Sequence, residues 1–599
     1  MKFVAKKLRG IARYFRQKRA VKQPGELDFG RVRILFLIIN VIFVGLLTRA
    51  FIIQVFPPSK ENLRKIAQRQ YEDHLELAPI RGPIYDRQKN LLAVSLKKPS
   101  LACNPRIFKP SHDEFRKLAK ILGISTTKLK TISQKNSHFS WIKRRMTQQA
   151  AEEVEELSLN GLYIVSEPAR FYPSQATAAA LVGGIGSDNL GLFGLERQFE
   201  KNLAGVSAKI RPAKDARGKS IYFESEEAAP EKAGDSITLT IDRTIQEIAD
   251  QALAEGVARA EAKSGFALVL DPYSGKILAV SHAPSFDPNH LEKINISATR
   301  SSALLDTFEP GSIMKGITIS GAVEQKKLSK DDMFNCENGV YRVGGVAFHD
   351  DHPEDKLSVV DTLIRSNNIC TYKIAEKLGK SKLESTFKSF GFGGELIKDQ
   401  FFPATTNGAV SSSENWKPIR FANVAFGQGL TVTGLEMLMA YGAIANGGNL
   451  MKPILIEKIE SATGELKYST TSEVLRTVVS PRTASTMREM MQQVVEDKHG
   501  TGSRAKTAHY SVAGKTGTGQ KVDPITRRYS NHKRVASFVG FTPVKDPSLT
   551  ILVVIDEPGN KPYTGGMWAA PVFSAIAEES LRYLNVASDK AELSMQPAP

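Results

Sequence analysis

At 599 residues the chain is longer than one ordinary hydrophobic core organises, so two or more domains are expected. Its 41% apolar and 24% charged residues exclude wholesale disorder. The net charge of +18 does not mark a nucleic-acid groove, because half of it, +9, lies in residues 1–33, where eleven Lys and Arg face only Glu26 and Asp28.

That basic tail, residues 1–33, precedes ILFLIINVIFVGLLTRAFIIQVF at 34–56, which is long and apolar enough to cross a bilayer as one helix. No small-residue cleavage site follows Leu47, so an uncleaved anchor is expected rather than a signal peptide. The Lys/Arg asymmetry places the N-terminus in the cytoplasm and everything after Pro57 outside. Residues 57–235 mix short strand-like and helical segments and end in a linker rich in charge, Ala and Pro, Glu224 to Ser236.

From 236 to 585 the pattern is more regular. SITLTID (236–242) alternates like a strand, and 243–262 repeats apolar residues at helical spacing. Residues 265–281 read as a β-hairpin around Asp-Pro-Tyr-Ser-Gly; 534–543 and 548–558 read as two more strands. Residues 569–584 read as a closing helix with Pro near its first turn. The expected fold is α+β: an antiparallel sheet with strands from both ends of this half and a largely helical insertion between them. Residues 586–599 are expected to be a disordered tail.

The three cysteines, Cys103, Cys336 and Cys370, form no CxxC, and the ten histidines show no ligand spacing, so no metal or cofactor is expected. An odd count permits at most one disulfide; buried thiols are the simpler reading.

The chemistry concentrates in three places. Ser312 and Lys315, in EPGSIMK, are three apart after Pro310-Gly311, so a helix starting there puts the amine within reach of the hydroxyl. S-x-x-K spacing alone says little, since it recurs at Ser95, Ser125, Ser140, Ser385, Ser503 and Ser530. A lysine serves as the base only if burial or a second cation depresses its pKa. Two later segments complete a set: Ser366-Asn367-Asn368, and Lys515-Thr516-Gly517-Thr518 on what reads as an edge strand. S-x-N also occurs at Ser158, Ser187 and Ser413, but only Ser366 stands in the order S-x-x-K, S-x-N, K-T-G shared by serine β-lactamases and penicillin-binding proteins.

The sequence therefore resembles the class B penicillin-binding proteins, monofunctional peptidoglycan D,D-transpeptidases. DTFEPGS (306–312) is similar to the division-specific members. AFGQGLTVT (425–433), NGG (446–448), SFVGFTP (537–543) and GGMWAAPVF (565–573) are also family-like, as are RGPIYDR (81–87) and GLFGLERQFE (191–200) in the first half. The resemblance implies an elongated, dimerisation-type pedestal over 57–235 and a transpeptidase domain over 236–585. It implies that Ser312 attacks the penultimate D-alanine carbonyl of a stem peptide, with Lys315 as base, Ser366 as proton relay and Asn368 on a substrate amide. Lys515 would supply the second cation, Thr516, Gly517 and Thr518 would bind the terminal carboxylate, and the backbone N–H groups of Ser312 and Thr518 would hold the oxyanion. The implied partners are D-Ala-D-Ala donors, an amine acceptor, β-lactams as covalent inhibitors, a membrane glycosyltransferase and other division proteins. Rival readings are an elongation-specific transpeptidase, a β-lactamase or carboxypeptidase, and a non-enzymatic β-lactam sensor.

Overall fold

The computed structural model describes residues 29–55, 75–77, 79–137, 139–214, 220–225, 233–325, 328–350, 352–394, 396–397, 399–523 and 526–590. The basic tail up to residue 28, the centre of the expected linker and residues 591–599 lie outside the described residues.

Helix α1 (Phe29–Val55) contains the span Val32–Ile52, 21 residues of mean hydropathy 2.4, enough for about 30 Å of hydrocarbon at 1.5 Å per residue. Two of its polar residues bond within the helix: Asn40 Nδ2 donates to Phe36 O at 2.8 Å and Thr48 Oγ1 to Val44 O at 2.7 Å. Apolar surroundings therefore leave neither side chain unpaired.

In the first half, β1 (Ile84–Tyr85) and β2 (Leu91–Cys103) pair antiparallel, and β2 carries β3 (Ser140–Lys143) and β4 (Leu162–Phe171) on its two edges. Strand β5 (Ser236–Leu239) does not join the catalytic sheet. It runs parallel to β1, with Ile237 opposite Ile84, and on its other edge pairs with Ile456–Glu460, with Ile237 opposite Ile459. One seven-stranded sheet therefore takes strands from both halves and crosses the expected boundary at 235/236.

The two family-like segments of the first half meet in a buried ion network. Arg81 Nε and Nη2 donate to Glu196 Oε2 at 2.9 and 2.7 Å, and Nη1 donates to both Glu200 oxygens at 2.9 Å. Arg170 Nε donates to Glu196 Oε1 at 2.6 Å, and its Nη1 to Gly82 O at 2.8 Å. Arg81 and Glu196 are 1% and 0% exposed, so each charge depends on its partners.

The catalytic sheet follows the expected design. β6 (Ser264–Leu270) and β7 (Ile277–Ala283) form the hairpin, and β8 (Ala513–Val522), β9 (Tyr529–Thr542) and β10 (Leu549–Asp556) return from the far end of the chain. The order is β7-β6-β10-β9-β8, antiparallel throughout, which leaves β8 at an edge. Its faces follow the two-residue period of a strand. Ala267 and Val269 face α2 (Arg243–Arg259), whose Ile245 and Leu253 share their core, while Phe266, Leu268 and Leu270 enter the larger core with the helical insertion.

The closing helix spans Gly565–Tyr583, starting four residues earlier than expected, so Pro571 is interior rather than in the first turn. Residues 586–590 correct the expected tail: Tyr510 Oη donates to Val586 O at 3.1 Å, Ser511 N to Asp589 Oδ1 at 2.7 Å, and Lys590 Nζ to Thr507 O at 2.8 Å.

Candidate active site

Ser312 lies in the short turn Gly311–Ile313 that leads into α3 (Met314–Glu324). Gly311 has φ 56°, a left-handed conformation that glycine adopts without the Cβ clash. Its N–H donates to Gly427 O at 2.9 Å, and a Cβ on Gly427 would stand 2.2 Å from Gly311 O. DTFEPGS and AFGQGLTVT are therefore spatial neighbours, joined also by Thr307 opposite Thr433 and Phe308 opposite Val432. Ile313 and Met314, between the serine and the lysine, are fully buried in the main core.

Lys315 is 0% exposed and reaches beneath the turn. Its Nζ donates to Ser366 O at 2.5 Å, to Asn368 Oδ1 at 2.7 Å and to Ser366 Oγ at 3.3 Å. Ser366 links α4 (Val359–Ile364) to α5 (Asn368–Leu378) and has φ 57°, a strained value for a residue with a Cβ. From the opposite side Lys515 Nζ, also 0% exposed, donates to the same Ser366 Oγ at 3.0 Å. One hydroxyl therefore lies between two buried amines. Burial, and after it the neighbouring Lys315 charge, hold Lys515 well below the ordinary lysine range. Lys515 was expected to be the cation that acts on Lys315; here burial and the Lys315 charge disfavour its own charged form.

Edge strand β8 crosses the Ser312 turn at backbone contact distance. A Cβ on Gly517 would lie 2.9 Å from Pro310 O, and one on Gly311 would lie 2.8 Å from Thr518 O. Only bare backbone fits there, which sets the Ser312 and Thr518 main chains side by side. Gly517 pairs with Ser537 of the SFVGFTP segment. A cavity of about 530 Å³ opens above, lined by Ser312, Ser366, Asn368, Thr516, Gly517 and Thr518, with Lys315 and Lys515 buried beneath. All eight residues expected from the sequence are thus brought together.

Two contributors were not foreseen. Thr501 accepts a hydrogen bond from Thr516 Oγ1 at 2.8 Å and lines the cavity; its Gly-Thr-Gly setting is the only local signal. Asp350, in the polar run His349 to His352, accepts from the N–H groups of Asn368 and Ile369 and so anchors the first turn of α5. Among the described residues no cluster of His, Cys, Asp or Glu suited to a metal ion is found.

Residues 265–578 match the penicillin binding protein transpeptidase domain family, and residues 76–239 match the penicillin-binding protein dimerisation domain family. Over 86% of its length the chain is 33% identical to the probable peptidoglycan D,D-transpeptidase PbpC of Pseudomonas aeruginosa, covering 89% of that protein. It is 30% identical to the peptidoglycan D,D-transpeptidase FtsI of Escherichia coli, covering 86% of this chain and 85% of that one. The aztreonam complex of penicillin binding protein 3 from Mycobacterium tuberculosis superposes with a TM-score of 0.65 at 25% identity, over 86% of this chain and 98% of that one. Both matched families fall on the halves that carry the buried ion network and the two-lysine site, and the chain belongs to the class B penicillin-binding proteins of the FtsI type, the peptidoglycan D,D-transpeptidases.

Proposed function

We propose that this transpeptidase crosslinks stem peptides during septal wall synthesis, with Ser312 as nucleophile, anchored by α1 with its N-terminus in the cytoplasm and its catalytic domain in the periplasm. The observation that carries the reading is the Ser366 hydroxyl held between Lys315 and Lys515 beneath the cavity that contains Ser312. Burial beside a second amine disfavours the charged form of a lysine, the condition for it to act as a base, and the serine hydroxyl gives it a path for protons.

Ser312 Oγ attacks the carbonyl carbon of the penultimate D-alanine, and its proton passes to Lys315. The tetrahedral oxyanion rests on the N–H groups of Ser312 and Thr518; such donors are each worth about 10²–10³-fold in rate. The proton returns through Ser366 to the departing amine, and free D-alanine leaves. Asn368 holds a substrate amide, while Thr516, Gly517 and Thr518 receive the terminal carboxylate. A neighbouring stem's amine then attacks the acyl-enzyme, giving up its proton along the same relay and restoring Ser312. β-Lactams acylate the same serine.

The septal role rests on DTFEPGS and on similarity to FtsI, and the anchor would hold the site beside a membrane glycosyltransferase and other division proteins. Elongation is the second reading, favoured by nothing specific in the geometry. Ser312→Ala should abolish covalent labelling by fluorescent penicillin while the protein stays folded; labelling that survives would refute the nucleophile. Filaments on depletion support the septal role, and rounded cells refute it. Steady-state turnover of penicillin, rather than a lasting adduct, would instead make the enzyme a β-lactamase.

A further inference from the structure

Cys336 and Cys370 are joined by a disulfide, Cα–Cα 5.1 Å across 34 residues, so the expectation of three buried thiols is corrected. Both are 0% exposed, in a small satellite core with Leu357. The odd one out, Cys103, is buried in the first half, where burial pushes its thiol up to about 12 and leaves it a poor partner for exchange.

The bond is placed where it bears on the site. Cys370 is the third residue of α5, two residues after Asn368 and four after Ser366. Its N–H donates to Asn367 Oδ1 at 2.8 Å, closing the turn that follows Ser366. Cys336 begins the segment that ends in that turn. Between the two cysteines lie the hairpin Val340–Val343/Val346–His349, Asp350, α4 and Ser366 itself, so the crosslink ties together both ends of one wall of the cavity. The wall has ionic ties as well: Arg365 pairs with Glu354 and Lys373 with Glu337, both at 2.5 Å. Those pairs are partly exposed and weaken with salt, whereas the covalent tie does not. Ser366 needs such a tie, because a serine at φ 57° keeps that conformation only where its surroundings over-determine it.

We propose that the Cys336–Cys370 disulfide is a positioning device for acylation: it fixes the first turn of α5 so that Ser366 stays in its left-handed conformation, with its hydroxyl between Lys315 and Lys515. The inference rests on the reading of Ser366 and Asn368 as parts of the acyl-transfer site. Forming the bond transfers two electrons and two protons from the Cys336 and Cys370 thiols to the disulfide of a thiol–disulfide oxidoreductase, which leaves as a dithiol. The transpeptidase then reaches full rate only after export to an oxidising compartment.

The test uses full-length protein purified from membranes in detergent. Denatured without reductant, it should alkylate at one thiol, Cys103, and at three after dithiothreitol; three before reduction would overturn the proposal. In Cys336→Ala/Cys370→Ala the second-order rate of fluorescent penicillin acylation should fall at least about tenfold, since sub-ångström misplacement of catalytic groups is costly. Its pH profile should shift because the hydroxyl between the lysines has moved. Each single variant should reproduce the double, both removing the same bond, and Cys103→Ala should match wild type. If the double variant does not fold, Cys336→Ser serves in its place. A lower melting temperature with unchanged acylation rate and pH profile at 25 °C would overturn the clamp alone. Absence of Ser312 labelling in wild type would overturn the site assignment and the clamp with it.

Discussion

Glu196→Gln removes the central charge of the Arg81–Glu196–Arg170 network and leaves the shape nearly unchanged. Arg81 would retain Glu200, whose side chain is 30% exposed, while Arg170 would lose its carboxylate partner and keep neutral groups such as Gly82 O and the Tyr172 hydroxyl. Arg170 Nη2 is already buried without a hydrogen-bond partner, so the site has no spare acceptor to offer. Breaking a buried ion pair by removing one partner costs about 3–5 kcal/mol, because the remaining charge stays desolvated. At an unfolding entropy of about 2 cal/mol/K per residue over the compact unit Leu75–Pro599, 1 kcal/mol is worth about 1 °C, so the thermal transition should fall by about 3–5 °C. Scanning calorimetry on the detergent-solubilised chain measures it, with Ser312 acylation at 25 °C expected to remain near wild type because the network lies outside the catalytic cavity. The triple variant Arg81→Met/Arg170→Met/Glu196→Leu, which removes the three buried charges and leaves only the partly exposed Glu200, should recover most of the loss. A shift in Glu196→Gln below about 2 °C, set against that 3–5 kcal/mol, would refute the reasoning by showing that these charges are solvated in the folded protein.

Gly427→Ala should cut penicillin acylation at least about tenfold, since its φ of 86° and the 2.2 Å approach of a Cβ to Gly311 O force the nucleophile turn to move; unchanged acylation would show that the turn tolerates displacement. His282, buried, accepts from Ala303 N at 3.2 Å, and burial lowers its pKa to about 4. The unfolded chain therefore takes up a proton that the folded chain refuses, so this group costs stability as pH falls from about 6.5 to 4, by about 3 kcal/mol in all. Asp250, raised to about 7 by burial, acts oppositely in nearly the same window: its stabilisation is present below about 4 and lost as pH rises to 7. Denaturation midpoints against pH should thus show His282→Gln losing stability with rising pH and Asp250→Asn losing it with falling pH; parallel profiles would refute both assignments.

What was legible in the sequence is what local physics encodes. The apolar run of α1, the short apolar runs of β6, β7, β9 and β10 and the helical period of α2 need no knowledge of distant partners. The site was legible for another reason: acyl transfer by a serine and a lysine demands particular side chains, so Ser312, Ser366 and Lys515 announce themselves although they are far apart in the chain. Tertiary proximity without chemical necessity was not legible. SITLTID reads correctly as a strand, but its alternation cannot say that Ile237 faces Ile84 and Ile459 rather than the catalytic hairpin. Three cysteines allow three possible single bonds, and nothing local distinguishes Cys336–Cys370 from the others. Residues 586–590, Val-Ala-Ser-Asp-Lys, dock mainly through hydrogen bonds, which composition cannot tell from a solvated tail.

The repeated S-x-x-K spacing shows how the same local pattern serves two physical ends. At Ser125 the hydroxyl accepts from the backbone N–H of Lys128 at 3.2 Å, an N-cap that uses up the serine's lone pair and turns it toward its own helix. At Ser312 no side-chain cap forms; the preceding Gly311, at φ 56°, turns the chain so that the serine lines the cavity and Lys315 drops beneath it. Cap and nucleophile share the spacing because both sit at the start of a helix, where residues three apart face the same way. They differ in what the residue before permits and in where the lysine finds acceptors: Ser366 O and Asn368 Oδ1 take up Lys315, fifty residues and more along the chain. Pro310-Gly311 was therefore the informative part of EPGSIMK, because it sets the backbone that separates the two uses.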